Sequence, residues 1–159
     1  MPENSDNEFE KTVRMHRPGD RLFDRYVLKK RLGQGGMGIV WQALDERLDI
    51  DVALKVLPDS LRTNEGALSQ LKHEAQKCVK LTHSRIVRMF DFLVTEELAA
   101  LSMEFVDGKT LAQLRAEKPD KTFKVWEIRE WVRQICEALS YAHSEARIVH
   151  RDLKPSNVM

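Results

Sequence analysis

Very little in this sequence can be cross-linked, and no segment of it is suited to spanning a membrane. Only two cysteines occur in 159 residues. Cys78 and Cys136 both sit inside stretches of helical period, which argues against a disulfide framework and for reduced, buried thiols. No apolar run approaches the roughly 20 residues that a helix needs to cross a bilayer. Charge of one sign is lacking too: 26 Lys and Arg against 25 Asp and Glu leave a formal net charge of +1, which gives no attraction to nucleic acid or to a membrane surface. The first residues, with Glu3, Asp6, Glu8 and Glu10, lack the basic-then-apolar order of a secretory signal. Internal repeats and low-complexity tracts are missing as well. The expectation is a cytoplasmic protein with no nucleic-acid partner and no membrane segment.

What is present is an ordinary globular composition, 42% apolar and 32% charged, on a chain long enough to bury a core. Residues 1–24 are polar and aperiodic, acidic first and then basic (Lys11, Arg14, Arg17, Arg21), and read as a disordered or loosely docked extension. From Tyr26 the pattern turns strand-like, with Tyr26, Leu28 and Leu32 on one face. A glycine-rich connection leads to Ile39-Val40-Trp41, a branched and aromatic run, so the two flanking strands read as a hairpin. A third strand spans Val52 to Leu57, with Ala53 and Lys55 sharing a face, and Pro58 ends it. Between Asn64 and Leu81 the residues Leu68, Leu71, Ala75 and Cys78 recur at helical spacing. Two short strands follow near 86–93 and 98–105. Thr110-Leu111-Ala112-Gln113 fits a capping box. A long helix then runs from about Val125 to Ser144, with Ile128, Trp131, Val132, Ile135, Leu139 and Ala142 on one face. Five strands with one inserted helix, followed by a helical region, make an α+β order.

Three features carry chemistry. Gly33-Gln34-Gly35-Gly36-Met37-Gly38 has the spacing of a phosphate-binding loop. A dinucleotide fold needs a helix directly after its third glycine, whereas Ile39-Val40-Trp41 is strand chemistry, so the loop is a hairpin flap. No Gly-Lys-Ser/Thr follows, which rules out a P-loop. A glycine hairpin without a ligand is the alternative for the loop alone. Next, Ala53 stands two positions before Lys55, leaving room for a flat ring beside an ammonium that can reach phosphates. Taken alone, Lys55 reads as a strand-end lysine with a solvated head. Finally, Glu74 falls on the apolar side of its helix, where a carboxylate is costly unless a cation meets it; Lys55 is the candidate. The alternative is a stripe-edge glutamate that points to water.

The sequence ends in His150-Arg151-Asp152-Leu153-Lys154-Pro155-Ser156-Asn157-Val158-Met159. With the glycine loop, Val52-Ala53-Leu54-Lys55, the helix glutamate, and Leu101-Ser102-Met103-Glu104-Phe105-Val106-Asp107-Gly108, this string resembles the eukaryotic-type serine/threonine protein kinases, in their bacterial form, over residues 26–159. The resemblance implies a kinase fold: 25–106 as the small lobe and hinge, 107–159 as part of the larger lobe. It implies ATP and Mg2+ as cofactors and a protein substrate with a Ser/Thr acceptor. Leu32, the loop residues Gly33 to Gly38, Val40 and Ala53 would enclose the nucleotide, with Met159 as part of its floor. Met103 would be the gatekeeper, and the backbones of Glu104 and Val106 would bond the adenine edge. Lys55, held by Glu74, would bind phosphates; Asp152 would orient the substrate hydroxyl, Lys154 neutralise the transferring group and Asn157 bind magnesium. Cys78, Met89 and His150 would stack as a regulatory spine, which in physical terms is ordinary core packing.

These 159 residues contain no Asp-Phe-Gly segment, where the family keeps its other magnesium ligand. The isolated chain is therefore expected to transfer little or no phosphate, and part of the long helix's apolar stripe to lack cover. A second reading is a non-catalytic module that binds a nucleotide or partner. The five intact residues Lys55, Glu74, Asp152, Lys154 and Asn157 favour the enzyme, since a scaffold has no chemical need for all of them. Ser84-Arg85 after His83 stands where similar kinases have Pro-Asn. That change bears on the turn joining helix to strand and on no catalytic assignment. Substrate identity and oligomeric state are not written in the sequence.

Overall fold

The alternation of branched and aromatic residues with polar ones from Tyr26 onward builds a six-stranded antiparallel sheet. The computed structural model describes residues 16–35 and 38–159; residues 1–15 of the expected extension, with Gly36 and Met37, lie outside them. The strands are β1 Arg21–Leu22, β2 Tyr26–Gly35, β3 Gly38–Asp45, β4 Ile50–Val56, β5 Met89–Val94 and β6 Ala99–Glu104. Their order across the sheet is β1-β2-β3-β4-β6-β5. The helices are α1 Asp59–Arg62, α2 Glu65–Cys78, α3 Leu111–Glu117 and α4 Val125–Ala146, and Pro155–Asn157 forms a single 3-10 turn.

The chain folds as two compact units. Among the described residues, one holds those from His16 to Val79 together with Arg88–Phe105; the other holds Lys80–Val87 and Val106–Met159. Lys80–Val87, expected in the first lobe, thus goes with the second unit. Its reasons are local: the His83 ring lies 4.8 Å from that of Tyr141 on α4, and Arg85 Nε stands 3.8 Å from the Glu137 carboxylate. The Ser84-Arg85 turn is closed by His83, whose Nδ1 accepts from the Arg85 N–H at 3.1 Å.

In the first unit one face of the sheet is the core. Leu22, Tyr26, Leu28, Ile39, Trp41, Ala43, Val52, Leu54, Val56 and Ala100 are all buried there, with Phe23, Phe90, Leu93 and Leu98 packed against them. Fully burying the Leu, Ile and Val side chains among them contributes about 1.5–3 kcal/mol each. The sheet also starts earlier than expected: Arg21 and Leu22 pair with Val27 and Tyr26, and Leu22 belongs to the core. Asp45, the one charged group buried among the described residues, takes Nε and Nη2 of Arg25 at 2.8 and 2.6 Å, as a buried carboxylate must.

Strand β2 departs from regular alternation. Leu28 opposes Ala43 and Lys30 opposes Gln42; Arg31 opposes Trp41 and Gly33 opposes Val40. Lys29 and Leu32 are therefore extra residues at two bulges. Leu32, expected on the face of Tyr26 and Leu28, is instead 43% exposed.

The helices follow their caps. Asn64 accepts the Ala67 N–H at 3.0 Å to start α2, and Ala75 is its buried centre. Thr110 and Gln113 exchange the two bonds of a capping box at α3. On α4 the buried line runs through Ala138 and Ala142. Val132, expected on the apolar face, is exposed. Cys136, one turn further along that line, is exposed too, which corrects the expectation of a buried thiol.

Candidate functional site

The register of three strands decides which side chains share the second face of the first unit's sheet. Val40 opposes Lys55, and Lys55 opposes Leu101; Gln42 opposes Ala53, and Ala53 opposes Met103. Residues directly opposite in antiparallel pairs point to the same side. Val40, Ala53, Lys55 and Met103 thus stand together in two adjacent rows. Met103 is in turn opposite Met89 of β5. Sequence reasoning missed Gln42 and Leu101, although plain alternation along β3 from Val40 and along β6 from Met103 reaches both.

The glycines of the loop separate by physical role. Gly38 has φ +114°, and a Cβ on it would lie 2.0 Å from the Val56 carbonyl oxygen; the crossing of β3 over the end of β4 leaves no room for a side chain. Gly33 and Gly35 are exposed, and a Cβ on either would meet nothing within 4 Å. Their smallness answers no need of the fold around them. Gly36 and Met37 lie outside the described residues.

The other members of the first unit's set are placed as follows. Lys55 is half-buried. Glu74, expected on the apolar side of its helix, is exposed and accepts from Gln70 at 3.4 Å. The Glu104 N–H already donates to the Arg88 carbonyl at 2.8 Å, so its carbonyl is the group left to serve a ligand. Cys78 is half-buried, and burial, with Glu74 nearby, pushes its thiol pKa up, as befits an inert packing residue.

In the second unit the loop 150–157 forms a compact polar knot. Arg151 has φ +58°, a left-handed turn for a non-glycine residue. The turn brings the Asp152 N–H onto the His150 carbonyl at 2.7 Å and near the His150 Nδ1 at 3.3 Å. His150, expected in a packed spine, is exposed. Lys154 Nζ sits 2.8 Å from Asp152 Oδ2. The Asn157 amide nitrogen donates to the Asp152 carbonyl at 2.8 Å and to its Oδ2 at 3.1 Å. The Lys154 ammonium, first, and the Asn157 amide hold the Asp152 carboxyl below the usual aspartate range. All three side chains are exposed. The loop end is tied down where the Leu111 N–H at the start of α3 donates to the Val158 carbonyl at 2.8 Å. Val106 and Met159 also belong to this unit, Met159 with its side chain exposed.

Comparison with known proteins agrees with both halves. The family model for the protein kinase domain matches residues 26–159. A probable serine/threonine-protein kinase of Streptomyces coelicolor is 38% identical over 147 residues, covering 87% of this chain and 21% of that protein. The serine/threonine-protein kinase PknB of Mycobacterium tuberculosis is 38% identical over 143 residues, with 87% and 22% covered. Among solved structures, the kinase domain of Mycobacterium tuberculosis PknI superposes with a TM-score of 0.78 at 26% identity, covering 90% of this chain and 57% of that one. The chain thus spans about a fifth of the length of the curated relatives it matches. Among the described residues no helix is long and apolar enough to cross a membrane. With the Val40–Lys55 face of the sheet, the glycine hairpin and the Asp152 knot in one sequence, this chain belongs to the protein kinase domain family of serine/threonine kinases.

Proposed function

We propose that this chain acts in the cytoplasm, binds ATP with magnesium and serves the transfer of the γ-phosphoryl group to serine or threonine hydroxyls of a protein substrate. The observation that carries the reading is the Asp152 knot, since nucleotide binding alone has no use for it. Asp152 is an ionised acceptor at neutral pH, suited to take the hydrogen bond of a substrate hydroxyl and turn its oxygen toward phosphorus. Lys154 is within reach of the same hydroxyl and would neutralise charge on the group in transfer. Asn157 spends its amide nitrogen on Asp152, which frees its carbonyl oxygen for a hard cation. No group of three or more His, Cys, Asp or Glu able to hold a metal occurs among the described residues. Magnesium is held by one or two protein oxygens together with phosphates, and the Asn157 carbonyl oxygen would be one of them.

On the other unit, Gly33 and Gly35 leave open space that phosphates can fill, with their backbone N–H groups as donors. Val40, Ala53 and Met103 offer an apolar wall for a flat ring, and the Glu104 carbonyl an edge contact. Lys55 would bind the α- and β-phosphates, with Glu74 turning toward its ammonium to hold it there. Magnesium, when bound, offsets charge on the phosphates.

With Asn157 but no Asp-Phe-Gly aspartate in its 159 residues, the isolated chain transfers little phosphate. The test is a chimera in which this chain is followed by the remaining kinase-domain portion of PknB. It should phosphorylate serine and threonine, and lose that activity with Asp152→Asn. Phosphotyrosine as the product, or undiminished transfer by Asp152→Asn, would refute the assignment. Strong transfer by the 159-residue chain alone would refute the statement about its low activity.

A further inference from the structure

Three side chains that the proposed reaction leaves unused meet at the first bulge of β2. Lys29 is the extra residue there, and its ammonium donates to Asp51 Oδ1 at 2.5 Å. Gln42 Nε2 donates to the other oxygen, Oδ2, at 2.8 Å. One carboxylate on β4 therefore ties β2 and β3 to itself. Asp51 alternates with Ala53 and Lys55, so the tie lies on the same face of the sheet as the nucleotide wall.

The place of this tie matters because β2 has no outer support beyond it. Strand β1 pairs only as far as Val27, and the last outer bonds join Gly19 and Asp20 to Leu28. From Lys29 to Gly35, among the described residues, the backbone of β2 pairs with β3 alone. A bulge bends its strand and adds twist. In an edge strand a slip of one residue would carry Gly33 and Gly35 away from their places opposite Val40 and Gly38. We propose that Lys29, Asp51 and Gln42 are positioning residues that pin the first β2 bulge and so aim the glycine hairpin at the nucleotide phosphates. This rests on the ATP-binding reading above. A pin of this kind touches only the phosphate end of the ligand's affinity, whereas a general structural role would affect every ligand alike.

The experiment measures ATP with magnesium, and adenosine, against the 159-residue chain and its variants. Asp51→Ala should weaken ATP about three- to tenfold, the effect expected when a partly exposed charged hydrogen bond is lost, with adenosine unchanged. Lys29→Met should do the same and Lys29→Arg should restore ATP affinity. Lys29 is exposed, so this pair carries the test if Asp51→Ala does not fold. Equal losses for ATP and adenosine, or no loss of ATP affinity in Asp51→Ala and Lys29→Met, would overturn the pin while leaving the ATP reading intact. Absence of ATP binding by the unsubstituted chain would overturn both.

Discussion

Replacing Gly38 by alanine should damage the fold, while the same change at Gly33 or Gly35 should not. At Gly38 the added methyl would stand 2.0 Å from the Val56 carbonyl oxygen, 3.0 Å from its carbon and 3.2 Å from the Leu57 Cα. These are backbone atoms at the end of β4 and cannot swing aside. The start of β3 would have to retreat by about 1 Å, and overpacking of that kind costs about 1–3 kcal/mol. The positive φ adds about 1–2 kcal/mol for any side chain. The sum, about 2–5 kcal/mol, is a large part of the stability of a small domain. Urea unfolding followed by circular dichroism and tryptophan fluorescence reads it directly, since Trp41 lies buried beside this crossing. Gly33→Ala and Gly35→Ala, with nothing within 4 Å of the new methyl, should keep the parent midpoint within about 0.5 kcal/mol and lose ATP affinity instead. A Gly38→Ala chain with the parent's midpoint would refute the reasoning.

Other consequences follow from the charged pairs. Asp45→Asn removes one partner of the bidentate pair with Arg25, whose side chain is 19% exposed against 2% for Asp45. The expected loss is about 2–3 kcal/mol, below the full cost for a wholly buried pair. Because Arg25 lowers the Asp45 pKa in the folded chain, that contribution is complete above the ordinary aspartate value near 3.8 and disappears as pH falls through the lower folded value. Thermal midpoints of parent and variant should therefore converge at acid pH; a constant gap down to pH ~2 would contradict this. Lys154→Met should return the Asp152 carboxyl toward its ordinary range, read as an upward shift of its midpoint in carbon NMR titration. An unchanged midpoint would mean that Lys154 is not the main partner.

Much of this was legible in the residues. The hairpin, the Lys55 strand, α2 and the Thr110 capping box follow from local periodicity and capping chemistry. The Asp152, Lys154 and Asn157 cluster was legible because a short loop can bring together residues so near in sequence. What escaped reading depends on pairing. The two extra residues of β2 are invisible to a period-two count, so Leu32 was assigned to the wrong face. Arg21–Leu22 is too short to show a period. Lys80–Val87 joins the second unit through His83 and Arg85 contacts with residues more than fifty positions away. Val132 and Cys136 are exposed because the buried line of α4 runs through Ala138 and Ala142, of which only Ala142 belongs to the face expected from the large apolar residues.

The most direct test is a titration of the 159-residue chain with ATP and magnesium, beside Lys55→Met with its fold verified by circular dichroism. Saturable, magnesium-dependent binding that weakens about tenfold or more in Lys55→Met is the predicted result, as expected for a charged hydrogen bond to phosphate. No binding, or equal affinity in both chains, would contradict the account.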